Sequence, residues 1–174
     1  RSTPLEGARS EVASATLWAT AHGIYDAEVD GVPVTASVLN PGWTAYEWRL
    51  AYQSFDVTSI VRDGLGDLGI GLVLGNGWWR GRLGFGDANA NYGDEIAVEA
   101  ALEIEFRDGH RQRIVTSPEW RATASEITRN SLYKGQTIDA RRREDGPVLA
   151  VRTAEIDRDA LEPQTAPPIL RHES

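Results

Sequence analysis

EIAVEAALEIEF, residues 95–106, alternates along its length. Ile96, Val98, Ala100, Leu102, Ile104 and Phe106 fall on one parity, and Glu95, Glu99, Glu103 and Glu105 fall on the other. Successive side chains of a strand point to opposite faces, so this period of two predicts a strand with one face in a core and one in water. A helix would scatter the same apolar residues around its circumference. The glutamates then form a solvated strand face, a simpler reading than a catalytic carboxylate pair.

The rest of the chain has the same texture. EVASATLWATA (11–21), with Val12, Ala15, Leu17 and Trp18, fits either helix or strand by spacing, but its Thr, Val and Trp content favours a strand. GIYDAEVDGVPVTASVL (23–39) reads as a hairpin. Tyr25, Ala27 and Val29 share one face, Asp30-Gly31 is the turn, and Val32 and Val34 continue beyond it. Asn40-Pro41-Gly42 is a second turn. TAYEWRLAYQSFDV (44–57) places Tyr46, Trp48, Leu50 and Tyr52 on one parity, and SIVRDGLGDLG has room for one helical turn or a loop. IGLVLG (70–75) reads as a buried strand, and RQRIVTS, EWRATAS and TRNSLYKGQTIDARR as further extended segments.

Nine or ten short strands separated by turn signals, without helices of crossover length, predict an all-β antiparallel sandwich and exclude a parallel α/β sheet. Its expected extent is residues 11–143. The proline-rich segment 144–174 reads as a peripheral strand and a linker toward a further domain.

Composition narrows the function. The chain of 174 residues carries 26 acids against 18 bases, a net charge of −8, which opposes nucleic-acid binding. No apolar run approaches the ~20 residues of a membrane helix. With no cysteine there is no disulfide and no thiolate metal site. The histidines His22, His110 and His172 match no zinc spacing, and no nucleophile elbow, phosphate loop or dinucleotide fingerprint occurs. No catalytic set stands out.

The conspicuous loop is GNGWWRGRLGFGDANANYGD, residues 75–94. Adjacent strand residues face opposite sides, so one of Trp78 and Trp79 would be core and the other near the surface, where an indole suits the C–H face of a sugar. Arg80 and Arg82 would donate to sugar hydroxyls, or bond carbonyls and acids of the domain itself. Asp87, Asn89 and Asn91 spell the opening of an oxygen-ligand calcium loop. Tyr92 and Val98, at its sixth and twelfth positions, depart from the EF-hand pattern. An Asx-rich turn explains the same residues.

NPGWTAYEWRLAYQSFDVT, GLVLGNGWWRGRLGF, NYGDEIAVEAALEIEFRDG and YKGQTIDARR, in this order, resemble the amino-terminal β-sandwich domain of bacterial α-L-rhamnosidases from about residue 14 to residue 143. The resemblance implies a jelly-roll-like sandwich and a multidomain glycoside hydrolase as parent. That parent releases terminal L-rhamnose from a separate α-helical barrel, so this domain would not hydrolyse rhamnosides alone. It also implies recognition of a rhamnose-containing carbohydrate, with calcium as the candidate cofactor. The matching positions are Trp43, Trp78, Trp79, Arg80, Arg82, Asp87, Asn89 and Asn91, with Asp87, Asn89 and Asn91 as the metal ligands. The alternative role is structural: a domain that packs on the barrel and shapes its active site.

Overall fold

The computed structural model describes residues 1–84, 88–142 and 147–171. In chain order the strands are β1 (Ser2–Thr3), β2 (Val12–His22), β3 (Ile24–Val29), β4 (Val32–Pro33), β5 (Ser37–Val38), β6 (Leu50–Asp56), β7 (Leu68–Gly75), β8 (Ala97–Phe106), β9 (Arg111–Val115), β10 (Ala122–Thr123), β11 (Ile127–Ser131), β12 (Gly135–Ile138), β13 (Val148–Leu149), β14 (Leu161–Pro163) and β15 (Ile169–Leu170). Helix α1 (Thr58–Asp63) precedes β7 and helix α2 (Gly77–Arg80) follows it. No helix among the described residues is long and apolar enough to cross a membrane.

Two sheets carry the fold. One has the order β14-β6-β2-β8-β9 and the other β1-β7-β3-β4. All their pairings are antiparallel except β14 with β6. A single hydrophobic cluster joins Leu17, Leu102 and Ile104 of the first sheet to Tyr25, Val29 and Leu68 of the second. This is the expected all-β sandwich. Strand β8 follows its alternation: Ala100, Leu102, Ile104 and Phe106 are buried. On its outer face Glu103 and Glu105 lie opposite Arg113 and Arg111 of β9 and pair with them at 3.4 and 2.8 Å. Such exposed pairs each contribute ~0–1 kcal/mol, so the glutamate face is a solvated face.

Strand β2 is central, paired to both β6 and β8. A register shift between Val12 and Ser14 lets Val12 share the core side with Ala15, Leu17, Ala19 and Ala21. That bulge is why the spacing of 11–21 resembles neither pure period. Trp18 lies on the outer face, 5.8 Å from the Tyr52 ring.

In 44–57 strand β6 begins only at Leu50, and Trp48 is 79% exposed in the preceding turn. Tyr46 and Leu50 of the aromatic parity are buried, and so are Ala51 and Gln53 of the other. Two expectations are corrected. Strand β7 is half-buried rather than fully buried. Leu68 and Ile70 are in the core and Val73 is half in solvent, because the sheet covers the core with one face only. EWRATAS contributes only the two residues of β10, paired with β13.

The Asp30-Gly31 hairpin stands, with Val29 opposite Val32 and both turn residues in the left-handed region at φ 51 and 75. Asp30 also fastens the turn to its surroundings. Its carboxylate accepts from the Gly69 amide at 2.7 Å and from Arg9 Nη1 at 2.7 Å, and the same Arg9 nitrogen donates to the Val61 carbonyl at 2.6 Å. The pair is nearly buried, with side chains 12% and 13% exposed.

A polar network crosses the sandwich beside the core. Gln53 Nε2 donates to Asn40 Oδ1 at 3.0 Å and to Gln164 Oε1 at 2.5 Å, and the Tyr25 hydroxyl donates to Gln53 Oε1 at 2.6 Å. Ser37 Oγ donates to Asn40 Oδ1 at 2.8 Å, and the Asn40 carbonyl receives the Tyr25 amide at 2.8 Å. Burial raises the pKa of the Tyr25 phenol, which keeps it a donor. The segment after residue 146 joins this frame through Gln164 and through β14 on β6 and β15 on β5.

Replacing Gln53 by leucine leaves the Tyr25 hydroxyl, Asn40 and Gln164 each short of a partner. The expected loss is roughly 2–4 kcal/mol of unfolding free energy in urea titrations. Asp30→Asn keeps an acceptor for Gly69 but strands the Arg9 charge. It should cost roughly 2–4 kcal/mol by the same measurement, and Asp30→Ala more.

Candidate functional site

The glycine-rich loop does not continue strand β7. At Gly77 the backbone turns left-handed (φ 53), and a Cβ there would stand 2.6 Å from Ile24 Cγ2. The chain then makes the short helix α2, which holds Trp78, Trp79 and Arg80. The expectation that the two tryptophans face opposite sides of a strand is therefore corrected. Neighbours on a helix are splayed by about 100°, and both indoles are half-buried. Residues 88–92 fold back along the helix: Ala90 N donates to the Arg80 carbonyl at 2.9 Å and Tyr92 N to the Trp79 carbonyl at 3.3 Å.

Trp79 is the hub of this end of the sandwich. His22, the last residue of β2, stacks on its indole at 3.9 Å with 8° between planes, and Tyr46 meets it edge-on at 5.2 Å. Its Nε1 donates to the Glu95 carbonyl at 2.8 Å. Gly93 lies so close that a Cβ would stand 2.5 Å from the ring. With its face and edges occupied, Trp79 supports the loop rather than offering a free surface. Burial depresses the His22 pKa, so the imidazole against the indole is neutral at pH 7.

Trp43 and Trp78 form the outer layer. Their rings are nearly parallel, 4° between planes, with centroids 6.2 Å apart. Trp43 is 56% exposed, and its Nε1 donates to the Tyr92 hydroxyl at 3.3 Å. Tyr92 in turn packs edge-on against Tyr46 at 4.9 Å. The Tyr46 hydroxyl donates to the Gly42 carbonyl at 3.3 Å, and burial, with Tyr92 beside it, raises its pKa. Trp43, Trp78 and Trp79 thus come together, joined by three residues that sequence reasoning missed: His22, Tyr46 and Tyr92. Tyr46 and Tyr92 lie inside the two quoted motif blocks, three residues after Trp43 and one after Asn91. His22 carried no local signal beyond its place at a strand end.

Arg80 is held by the domain itself. Its Nε donates to Asn76 Oδ1 at 2.7 Å and its Nη1 reaches the Asp94 carbonyl at 3.5 Å. Asn76 is anchored on β11, its amide donating to Asn130 Oδ1 at 3.1 Å and its Nδ2 to the Asn130 carbonyl at 3.2 Å. The Arg82 guanidinium lies 5.9 Å from the Tyr133 ring centroid. Asn89 and Asn91 are exposed and flank Ala90, which is left-handed at φ 55. Asp87 lies outside the described residues. Among those described, no group of three or more His, Asp or Glu side chains gathers as metal ligands.

What this arrangement offers chemically is a flat apolar surface with polar edges. The chain is 40% identical over 157 residues to an alpha-L-rhamnosidase of Streptomyces avermitilis, covering 84% of this chain and 15% of that protein. It is 32% identical over 132 residues to one from Formosa agariphila, covering 75% of this chain and 14% of that protein. The crystal structure of a Streptomyces avermitilis alpha-L-rhamnosidase complexed with L-rhamnose superposes with a TM-score of 0.89 at 33% identity, over 99% of this chain and 17% of that one. The native enzyme from Aspergillus terreus gives 0.88 at 26% identity, over 97% of this chain and 20% of that one. The chain thus spans about a sixth of the relatives it matches. Residues 10–173 match the family described as the alpha-L-rhamnosidase N-terminal domain, and the chain belongs to that family.

Proposed function

We propose that this domain is a non-catalytic carbohydrate-recognition part of an α-L-rhamnosidase and takes L-rhamnose on the Trp43–Trp78 platform. The observation that carries the reading is Trp43: a large indole held 56% exposed by a hydrogen bond and a parallel ring partner. A deoxysugar presents a methyl group and C–H faces to such a ring and hydroxyls to its rim, where the Tyr92 hydroxyl and the Asn91 amide are close in sequence and in the same loop. The Streptomyces relative solved with L-rhamnose supports the choice of sugar. Burial of one face of a monosaccharide gives a Kd on the order of millimolar.

Calcium assistance is the finer part of the proposal. Asp87, Asn89 and Asn91 are oxygen donors, the type calcium takes, but it needs six to eight of them by the usual coordination rule of about that size. The described residues supply only the two exposed amides and do not make a cage by themselves.

A second reading is favoured by Trp48. It is 79% exposed in the turn before β6, outside the aromatic cluster, and suits burial against the catalytic domain of a longer chain. In that reading the domain packs on the barrel and shapes the active site.

Calorimetric titration with L-rhamnose, in calcium and in EDTA, separates these readings. Saturable heat that Trp43→Ala abolishes is expected, and heat lost in EDTA assigns the calcium role. Absence of heat up to roughly ten times the millimolar Kd expected for so small a ligand leaves the packing role. A pH test addresses the platform's support. His22 has a folded-state pKa below its ordinary value, so the unfolded chain binds the proton more readily. Stability should be full above that ordinary value of about 6.5 and fall as pH drops from there through the folded pKa. Thermal unfolding scans should show this acid-side loss in the parent and a smaller one in His22→Gln.

A further inference from the structure

A cavity of about 710 Å³ lies beside the platform. Its floor is the outer face of the second sheet, where Asp26 of β3 and Val73 of β7 are cross-strand partners. Strand β11 forms one wall, and Asn76 with Arg80 forms another. Five cations line it: Arg80, Arg82, Arg129, Lys134 and Arg171. Asp26 is the one acid among the described lining residues. The chain as a whole carries −8, whereas the described lining residues hold five cations to one acid.

Most arginines elsewhere in the domain have carboxylate partners, as Arg9 has Asp30, Arg111 has Glu105, Arg113 has Glu103 and Arg158 has Glu99. The cavity differs. Arg82 and Lys134 are engaged with neighbouring groups. Arg80 donates to an amide oxygen and a carbonyl, both uncharged. Arg129, opposite Thr137 in the β11–β12 hairpin, and Arg171, next to β15, form no ion pair among the described residues. A planar guanidinium in a groove is well suited to bind an oxyanion through two parallel hydrogen bonds.

We propose that this cavity binds an oxyanion, a carboxylate or sulfate ester, carried on a saccharide, with Arg80, Arg129 and Arg171 as the recognising groups. The choice of a saccharide as carrier rests on the carbohydrate reading of the platform, which helix α2 joins to the cavity by carrying both Trp78 and Arg80. A neutral rhamnose on Trp43 and an acidic neighbouring sugar in the cavity would then be two units of one chain. Asp26 on the floor disfavours an anion seated deep, so the oxyanion lies toward Arg129 and Arg171.

The test is titration of the ¹⁵N-labelled protein, at low salt, with D-glucuronate, a glucose sulfate and neutral D-glucose. At least one charged sugar should shift the Asn76 and Asn130 amide signals saturably, and glucose should not. Binding should weaken by about tenfold in the exposed-surface double variant Arg129→Gln/Arg171→Gln, and with added salt. Response to glucuronate alone assigns a carboxylate, and response to the sulfate alone a sulfate ester. Charged sugars that bind no better than glucose, or equally well to the double variant, overturn the proposal. L-Rhamnose is titrated in parallel. The double variant should keep the rhamnose response and Trp43→Ala should keep the charged-sugar response, so failure of the platform reading and failure of the cavity proposal are read separately.

Discussion

Gln53 is a polar residue at an inward-facing position of a strand, and much of the molecule is arranged around satisfying it. An unpaired amide in a protein interior costs several kcal/mol, on the order of the whole stability of a domain this size. Here the amide is met by Tyr25 from the other sheet, by Asn40 from the turn and by Gln164 from the late segment. The three partners come from parts of the chain far apart in sequence, so satisfying one side chain fixes how those parts meet. Asn40 is 2% exposed and immediately precedes Pro41-Gly42, and Trp43 follows directly. The buried amides therefore set where the most exposed ring of the candidate site leaves the core.

From that anchor the site is built in layers. Trp79, wedged between His22, Tyr46 and the backbone of Gly93, is a fixed inner ring. Trp43 and Trp78 form a second, nearly parallel pair, and Tyr92 links Trp43 to the inner ring. Arg80 and Asn76 tie the same short helix to β11 and so couple the platform to the cavity. A binding surface on loops is precise only when the loops are held, and here hydrogen bonds from β11, from 90–92 and from 94–95 hold a helix of four residues. Most of the conspicuous residues of 75–94 serve this holding, and few are left for a ligand.

The sandwich was legible because β8 alternates cleanly and because Asp30-Gly31 leaves no other turn. Both signals are local, carried by the chain's own periodicity and by left-handed backbone preference. The start of β6 within 44–57 was not legible, since Tyr46, Leu50, Ala51 and Gln53 are all buried and both parities of the segment meet the interior. The strand assumed for Trp78 and Trp79 became a helix because of one backbone reversal at Gly77. That reversal depends on close approach to Ile24, a contact with no trace in the sequence around either residue. Trp43, Trp78 and Trp79 were legible as a group from their motif blocks, whereas His22 and Asn130 join the site only through pairing of β2 with β8 and of β11 with the loop. The cation cluster escaped notice for the same reason: Arg80, Arg129 and Arg171 are dispersed in a sequence whose net charge is negative.

In the proposed recognition of a sugar, one pair of indoles at this end of the sandwich meets the ligand and the other tryptophans are structural. The chain has six tryptophans, and each gives one indole N–H resonance. Titration with L-rhamnose followed by these signals tests the claim residue by residue. Saturable shifts are expected at Trp43 and Trp78, with Trp18, Trp48 and Trp120 unmoved. Shifts centred on Trp48, or none at Trp43 while binding is measured by other means, would contradict it.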